Sequence, residues 1–234
     1  MKQKSLAPIN RIVLHFNWEL GMNTWEEIGR SALVIVDVQV DFCPGGSLAV
    51  EEGDAVVPVI NSISHLFPYV VATRDWHPEK HGSFASSHPG KLPFQEGDVY
   101  GITQTLWPDH CVQGTRGAEF HPDLDLKPLR CILHKGTNHR IDSYSAFFEN
   151  NKQTPTGLEY LLKGLGFSTL FFCGIATDVC VYYSVLDALR LGFKVYLIED
   201  ACKGVDLPKG SVQKALKDLQ REGAKIVRSS DVRS

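Results

Sequence analysis

The sequence lacks the features that mark membrane, nucleic-acid-binding and fibrous proteins. No uninterrupted apolar run approaches the roughly 18–20 residues that a membrane-spanning helix needs. The 24 basic and 27 acidic residues give a formal net charge of −3, so no positive excess favours nucleic acid or an anionic membrane. Internal repeats and low-complexity tracts are also absent. With 43% hydrophobic and 22% charged residues in 234, the composition is globular, and we expect neither a membrane nor a nucleic acid as partner.

A secretory signal is also missing. The first residues contain no unbroken apolar segment and carry Glu19, Glu26 and Glu27, unlike a signal peptide or an acid-poor transit peptide. The six cysteines are therefore expected to be reduced thiols in the cytoplasm rather than three disulfides.

Two parts of the chain differ in pattern. Residues 1–30 are interpreted as an N-terminal extension, in which apolar residues alternate between Ile12 and Leu20. That alternation fits an added edge strand or an interface arm, and a partly ordered tail is an equal alternative. Residues 31–234 alternate short apolar segments with helical patterns, which predicts a single domain.

This single domain is predicted to have an α/β fold. Its strand segments are continuously apolar and alternate with helices, as in parallel sheets covered on both faces. We therefore expect three layers, with roughly six parallel strands between helices, and a long functional loop over 74–129. Thr177 or Asp178 is expected to cap the third helix. The predicted strands are Ala32–Val38, Tyr69–Thr73, Arg130–His134, Thr169–Gly174, Lys194–Ile198 and Lys225–Val227, and the predicted helices are 54–67, 156–164, 178–191 and 210–222.

Three residues with catalytic chemistry follow predicted strands. Asp37 and Lys135 come at the ends of the first and third, and Cys180 lies in the first turn of the helix after the fourth. The carboxyl ends of parallel strands meet at one edge of a sheet, where ligands bind. A helix start stabilises a thiolate and offers N–H groups to an oxyanion. Each residue alone also fits an ordinary structural role, but together they predict a cysteine nucleophile with a carboxylate and an ammonium beside it.

A second group of residues has the donor atoms of a metal site. Asp75 and His77 stand two positions apart, so in extended chain their side chains point the same way. His110 comes later in the same long stretch, and His81 could approach the same ion. One carboxylate and two imidazoles, with water completing the shell, suit Zn²⁺, Fe²⁺ or Mn²⁺.

Six motifs together resemble those of a known family. They occur in the family's order over about residues 31–230, which makes the match specific although each motif alone is weak. The family is that of the nicotinamidases among the isochorismatase-like cysteine hydrolases. The motifs are DVQVDF (37–42), TRDWHPEKHGSF (73–84), LWPDHCVQGT (106–115), HKGT (134–137), DSYSAFFEN (142–150) and GIATDVCV (174–181).

The resemblance implies an activity and the residues that carry it. It implies hydrolysis of nicotinamide, and of pyrazinamide as a further substrate, through a cysteine thioester, with a place in NAD salvage. It also implies one divalent metal, zinc first and iron or manganese as alternatives, that orients the pyridine ring, and it leaves a homo-oligomer open. The implied residues are Asp37, Lys135 and Cys180 as the triad; the N–H groups of Ala176 and Cys180 as the oxyanion hole, with a cis peptide between Ile175 and Ala176; Asp75, His77 and His110 as metal ligands; and Phe42, Trp107, Ile175 and Tyr144 at the substrate.

Three alternatives differ in chemistry. A related hydrolase would act on another substrate, as an isochorismatase or an N-carbamoyl amidase does, and an isochorismatase-like amidase would act on another small amide. A metallohydrolase would attack with metal-bound hydroxide and would not need the thiol. A binding protein without catalysis would not need competent residues at every one of these positions.

Overall fold

The computed structural model describes residues 28–233. The predicted N-terminal extension therefore lies outside the described residues except for its last three. Of these, Ile28 is buried and packs in the hydrophobic core directly before the first strand.

A parallel six-stranded sheet forms the centre of the described chain, as predicted. Its strand order is β5-β2-β1-β6-β7-β8, so the two strands at its centre are the first and the sixth along the chain. A separate antiparallel pair is made by β3 and β4. The strands are β1 Ser31–Val36, β2 Tyr69–Asp75, β3 Glu96–Val99, β4 Ile102–Thr105, β5 Leu129–Lys135, β6 Thr169–Ile175, β7 Lys194–Lys203 and β8 Lys225–Val227.

Helices pack on both faces of this sheet and complete three layers. The helices within residues 28–233 are α1 Val56–Ile63, α2 Leu158–Gly164, α3 Tyr182–Arg190, α4 Ser211–Arg221 and α5 Ser229–Arg233. Helices α1 and α5 contact each other, and both contact β7. Helix α3 also contacts β7 and packs against α4. None of the helices in this part of the chain combines the length and the apolar character needed to cross a membrane.

The central strands are buried because side chains cover them on both sides. Every residue of β1 is buried, and on the neighbouring strands the rings of Phe171 and Tyr196 stack with centroids 4.4 Å apart. The carboxyl ends of β1, β2, β5 and β6 then lie at one edge of the sheet. That edge is where the predicted functional residues meet.

The structure corrects three of the predicted elements. Strand β5 is not fully buried: its side chains alternate, and Ile132 is 47% exposed, because an edge strand has one face that no helix covers. The stretch 74–129 is not all loop, since it contains β3 and β4. The first strand ends at Val36 rather than Val38, because Asp37 has a left-handed backbone with φ +47°.

The predicted cap of the third helix is also wrong. The chain enters α3 through a π-helical turn, Thr177–Val181, with no side-chain cap. The carboxylate of Asp178 points elsewhere and accepts the N–H groups of Val205 and Asp206 at 2.9 and 3.0 Å. It therefore fixes the loop after β7 instead of the helix start.

We expect Gly174→Ala to destabilise the fold by more than about 2 kcal/mol. Gly174 has φ +116°, and an added Cβ would lie 2.1 Å from the carbonyl oxygen of Val36 on β1. Gly164→Ala is the matched control, because it ends a helix with nothing within 4 Å of the added Cβ. Urea denaturation of both variants tests this, and equal stability of the two would contradict it.

Candidate active site

A single ammonium group joins the predicted catalytic residues. Lys135, the last residue of β5, is buried, and its Nζ lies 2.7 Å from Asp37 Oδ2 and 3.5 Å from Cys180 Sγ. The same Nζ donates to the carbonyl oxygen of Ser143 at 3.0 Å and contacts Asp75. The structure thus brings together residues from three strand ends and one helix entrance.

Asp37 is held in place by a neighbour that sequence reasoning did not single out. The hydroxyl of Thr73, on β2, donates to Asp37 Oδ1 at 2.6 Å and accepts the N–H of Asp37 at 3.2 Å. One carboxylate oxygen is therefore fixed by Thr73 while the other faces Lys135. The only sequence signal was a hydroxyl residue within an otherwise apolar buried strand.

Burial and the shared ammonium set the ionisation of this group. Burial raises the pKa of Asp37 above its ordinary value, and the charge of Lys135 only partly offsets this. Burial alone would lower the pKa of Lys135, but Asp37 and Asp75 raise it well above its ordinary value. Lys135 is therefore an ammonium, and Asp37 is a better proton acceptor than an exposed aspartate.

The thiol of Cys180 does not follow the expectation drawn from its place at a helix start. Burial raises its pKa well above the ordinary value, and Lys135 opposes this without reversing it. The positive end of the helix therefore does not make a resting thiolate here. The sulfur is instead a protonated thiol with an ammonium and a good base nearby.

The predicted metal ligands form a compact cluster beside the triad. Asp75 Oδ2 lies 3.5 Å from His77 Nε2 and 3.6 Å from His110 Nε2. His77 Nδ1 donates to the carbonyl oxygen of Gly136 at 2.9 Å, and His110 Nδ1 donates to the carbonyl oxygen of Pro108 at 2.8 Å. A carbonyl can only accept, so in each neutral ring Nδ1 carries the proton and Nε2 offers a lone pair to the cluster.

The donor atoms fit a divalent cation. His77 Nε2 is buried and has no hydrogen-bond partner among the described residues, which is costly unless a ligand uses its lone pair. Burial alone would raise the pKa of Asp75, but the charge of Lys135 lowers it well below its ordinary value. The cluster therefore offers one carboxylate and two imidazole nitrogens, a donor set suited to zinc, iron or manganese.

His81 is near this cluster but does not offer it a ligand atom. Its Nδ1 lies 2.7 Å from the hydroxyl of Ser83, and its Nε2 lies 2.8 Å from the carbonyl oxygen of Asn138. Its ring packs beside that of His77, with centroids 4.4 Å apart. Burial lowers the pKa of His81 to about 4, so it is a neutral packing residue.

One cavity gives access to both groups, since its wall includes Asp75 and His110 of the metal-ligand cluster and Cys180 of the predicted triad. Three predicted aromatic residues, Phe42, Trp107 and Tyr144, line it, together with Cys180 and Ala176. The indole N–H of Trp107 donates to the hydroxyl oxygen of Tyr144 at 3.0 Å, which fixes the two rings relative to each other. Additional lining residues, which sequence reasoning did not identify, are Leu48, Val50, Asp142, Val179 and Val205.

Ile175 is the one predicted substrate-binding residue that the structure places elsewhere. Its side chain is fully buried in the hydrophobic core and is not part of the cavity wall. The peptide bond that follows it, to Ala176, is cis, as the resemblance implied. Ile175 therefore shapes the site through its backbone, and Ala176 is the residue that reaches the cavity.

Two polar residues of the first motif support the metal cluster from behind. The side-chain amide of Gln39 donates to the carbonyl oxygen of Asp75 at 2.8 Å and accepts its N–H at 2.7 Å. Asp41 accepts the N–H of Cys111, the residue after His110, at 2.7 Å. Their alternation in DVQVDF was the signal that could have identified them.

Comparisons with known proteins agree on one family. The Isochorismatase domain model matches residues 31–231. A nicotinamidase of Acinetobacter baylyi is 45% identical over 207 residues, 88% of this chain and 96% of the relative. The structure of an Acinetobacter baumanii nicotinamidase and pyrazinamidase is 50% identical, with a TM-score of 0.84 over 87% of this chain and 98% of that one. The structure of a Pyrococcus horikoshii pyrazinamidase in complex with zinc is 39% identical, with a TM-score of 0.69 over 85% of this chain and 99% of that one.

We expect the reaction of Cys180 with iodoacetamide, in metal-free protein, to accelerate steadily from pH 7 to pH 9. Only the thiolate reacts, and burial raises the pKa of this thiol, so its thiolate fraction keeps growing across that range. A short cysteine peptide in the same tube, with an ordinary pKa of about 8.5, is the internal control and begins to level. Mass spectrometry of the Cys180 peptide measures the rate, and a plateau below pH 8 would contradict the assignment.

Proposed function

The chain belongs to the isochorismatase family, and from this premise we propose that it is a nicotinamidase, which hydrolyses nicotinamide to nicotinate and ammonia. The observation that carries the proposal is the position of Lys135, which contacts Asp37, Cys180 and Asp75 at once. Through these contacts the thiol of Cys180, the carboxylate of Asp37 and the metal-ligand cluster around Asp75 lie together at one cavity with aromatic walls.

The first half of the proposed reaction forms a thioester. The sulfur of Cys180 attacks the carboxamide carbon, and its proton passes to Asp37, whose raised pKa suits a proton acceptor. Lys135, 3.5 Å from the sulfur, stabilises the negative charge that develops there. The carboxamide oxygen becomes an anion, which the N–H groups of Ala176 and Cys180 would bind. The C–N bond then breaks, and ammonia leaves with the proton held by Asp37.

The second half regenerates the thiol. A water molecule attacks the thioester carbon, and Asp37 takes one of its protons. The C–S bond breaks, the product leaves as nicotinic acid, which ionises to nicotinate in solution, and the proton returns from Asp37 to the sulfur of Cys180. Asp37 therefore acts in turn as base and acid in each half, which requires the buried, Lys135-paired position that it occupies.

The aromatic side chains and the metal cluster would hold the pyridine ring. Phe42, Trp107 and Tyr144 present flat apolar surface to a ring in the cavity. Asp75, His77 and His110 would hold one divalent ion, and a bound ion supplies a Lewis-acid site for the ring nitrogen. The zinc complex of the Pyrococcus horikoshii relative supports zinc as that ion.

The same cavity would accept pyrazinamide, since that ring differs from nicotinamide by one nitrogen atom in place of a carbon. The structural relative from Acinetobacter baumanii carries both activities in its name. Because the product, nicotinate, can be used to rebuild NAD, we place the reaction in NAD salvage.

We expect Cys180→Ala to lower ammonia release from nicotinamide by at least about a thousandfold, because the thioester cannot form without the sulfur. Cys131→Ala is the matched control: this half-buried thiol lies on β5 outside the cavity and is expected to be dispensable. An ammonia assay with both variants measures the effect. Full activity of Cys180→Ala would favour metal-assisted attack by water. If the wild type hydrolyses other amides in a substrate panel but not nicotinamide, the result would favour another amide substrate.

We expect His110→Ala to reduce bound zinc well below one ion per chain and to raise the KM for nicotinamide, because one of three ligand atoms is lost. His65→Ala, a change of an exposed histidine outside the cluster, should keep both properties. Metal analysis after equilibrium dialysis against zinc gives a measurement independent of turnover. Equal zinc content in the two variants would rule out the proposed ligand set.

A further inference from the structure

Ser184 forms a direct link between the nucleophile and a wall of the cavity. It lies on α3, one helical turn after Cys180, and is fully buried. Its hydroxyl donates to the carbonyl oxygen of Cys180 at 2.6 Å. The hydroxyl oxygen of Ser184 in turn accepts the N–H of Ala146 at 2.9 Å. One side chain thus joins the turn that carries the nucleophile to the loop of residues 142–150, which we call the motif loop.

The direction of each bond follows from chemistry. A carbonyl oxygen can only accept, so the hydroxyl proton must go to Cys180. A backbone N–H can only donate, so the lone pair of Oγ must receive Ala146. Both bonds need a hydroxyl at position 184, and a residue without one would leave a buried N–H unsatisfied.

The motif loop carries two groups that act at the site. The carbonyl oxygen of Ser143 accepts from Lys135 Nζ at 3.0 Å, and Tyr144 lines the cavity beside Cys180. Other bonds shape the loop from within, such as that from the hydroxyl of Ser143 to the carbonyl oxygen of Ser145 at 3.1 Å. The bond through Ser184 differs because it ends on the backbone of the nucleophile itself.

We propose that Ser184 is a positioning residue of the reaction, which fixes the motif loop, and with it Lys135, relative to the sulfur of Cys180. This role rests on the proposed function of the site. Reacting groups must be held within a fraction of an ångström for efficient attack. Two of the three aromatic residues that would hold the ring, Phe42 and Trp107, belong to other segments, and only Tyr144 lies in the motif loop, so loss of the link should affect turnover more than substrate binding.

The test compares Ser184→Ala with Ser145→Ala. Both serines are fully buried. The hydroxyl oxygen of Ser145 accepts the N–H of Phe147 at 3.1 Å, a bond that stays within the motif loop. We expect Ser184→Ala to lower kcat for nicotinamide by about ten- to a hundredfold, with KM changed less than about threefold. Ser145→Ala should keep kcat within about threefold at a similar loss of thermal stability, and Ser184→Thr, which keeps the hydroxyl, should recover kcat to within about threefold.

Unchanged kcat in Ser184→Ala, an equal loss in Ser145→Ala, or no recovery in Ser184→Thr would each overturn the positioning role. If Ser184→Ala does not fold, Ser184→Cys replaces it. The hydrogen bonds of the cysteine sulfur are longer than those of a hydroxyl, so this variant should turn over about tenfold more slowly than Ser184→Thr. Equal kcat in Ser184→Cys and Ser184→Thr would overturn the role as well.

A second readout separates this inference from the proposed function. The rate of Cys180 alkylation by iodoacetamide needs no substrate, and we expect Ser184→Ala to change it while Ser145→Ala does not. If the wild type releases no ammonia from nicotinamide, the proposed function fails, and the alkylation rates alone decide the role of Ser184. Equal rates in the two variants would then overturn it.

Discussion

The site depends on one buried ammonium that is shared by three acidic or nucleophilic groups. Lys135 neutralises Asp37, contacts Asp75 and lies 3.5 Å from the sulfur of Cys180. Without it, two carboxylates would be buried side by side, and at least one would have to take up a proton. The ammonium thus lets Asp37, the proposed proton-transfer residue, and Asp75, a proposed metal ligand, occupy adjoining positions beside the thiol of Cys180.

The parallel sheet makes this arrangement achievable with short connections. Asp37, Asp75 and Lys135 follow or end the strands β1, β2 and β5, which are neighbours in the sheet. Each residue therefore needs only a strand end to reach the site, and the two inner strands of the three, β1 and β2, are fixed by apolar burial on both faces. Cys180, the proposed nucleophile, follows the next strand on the other side, β6, and lies in the π-helical turn.

The sequence predicts well what depends on local pattern and residue type. The six sheet strands are predictable because short apolar segments alternate with helical patterns along the chain. The predicted triad and metal residues stand out because acidic, basic and thiol side chains follow those strands, and the structure places them close together. The hairpin β3–β4 is not predicted, since Glu96, Gly97 and Asp98 have little strand preference. The cavity walls at Val205 and the orientation of Ile175 depend on contacts between distant segments, which no local pattern contains.

The uncovered outer strand has a consequence for how the protein loses function. Lys135 ends β5, which borders the sheet and pairs only with β2 among the described strands. Border strands with exposed side chains open locally at lower free energy than the buried centre. Detachment of β5 would withdraw the ammonium from Asp37 and Cys180 while β1 and β6 stayed paired. The proposed activity therefore depends on the pairing of β5 with β2 at the edge of the sheet, and we expect mild denaturant to reduce it before the rest of the sheet unfolds.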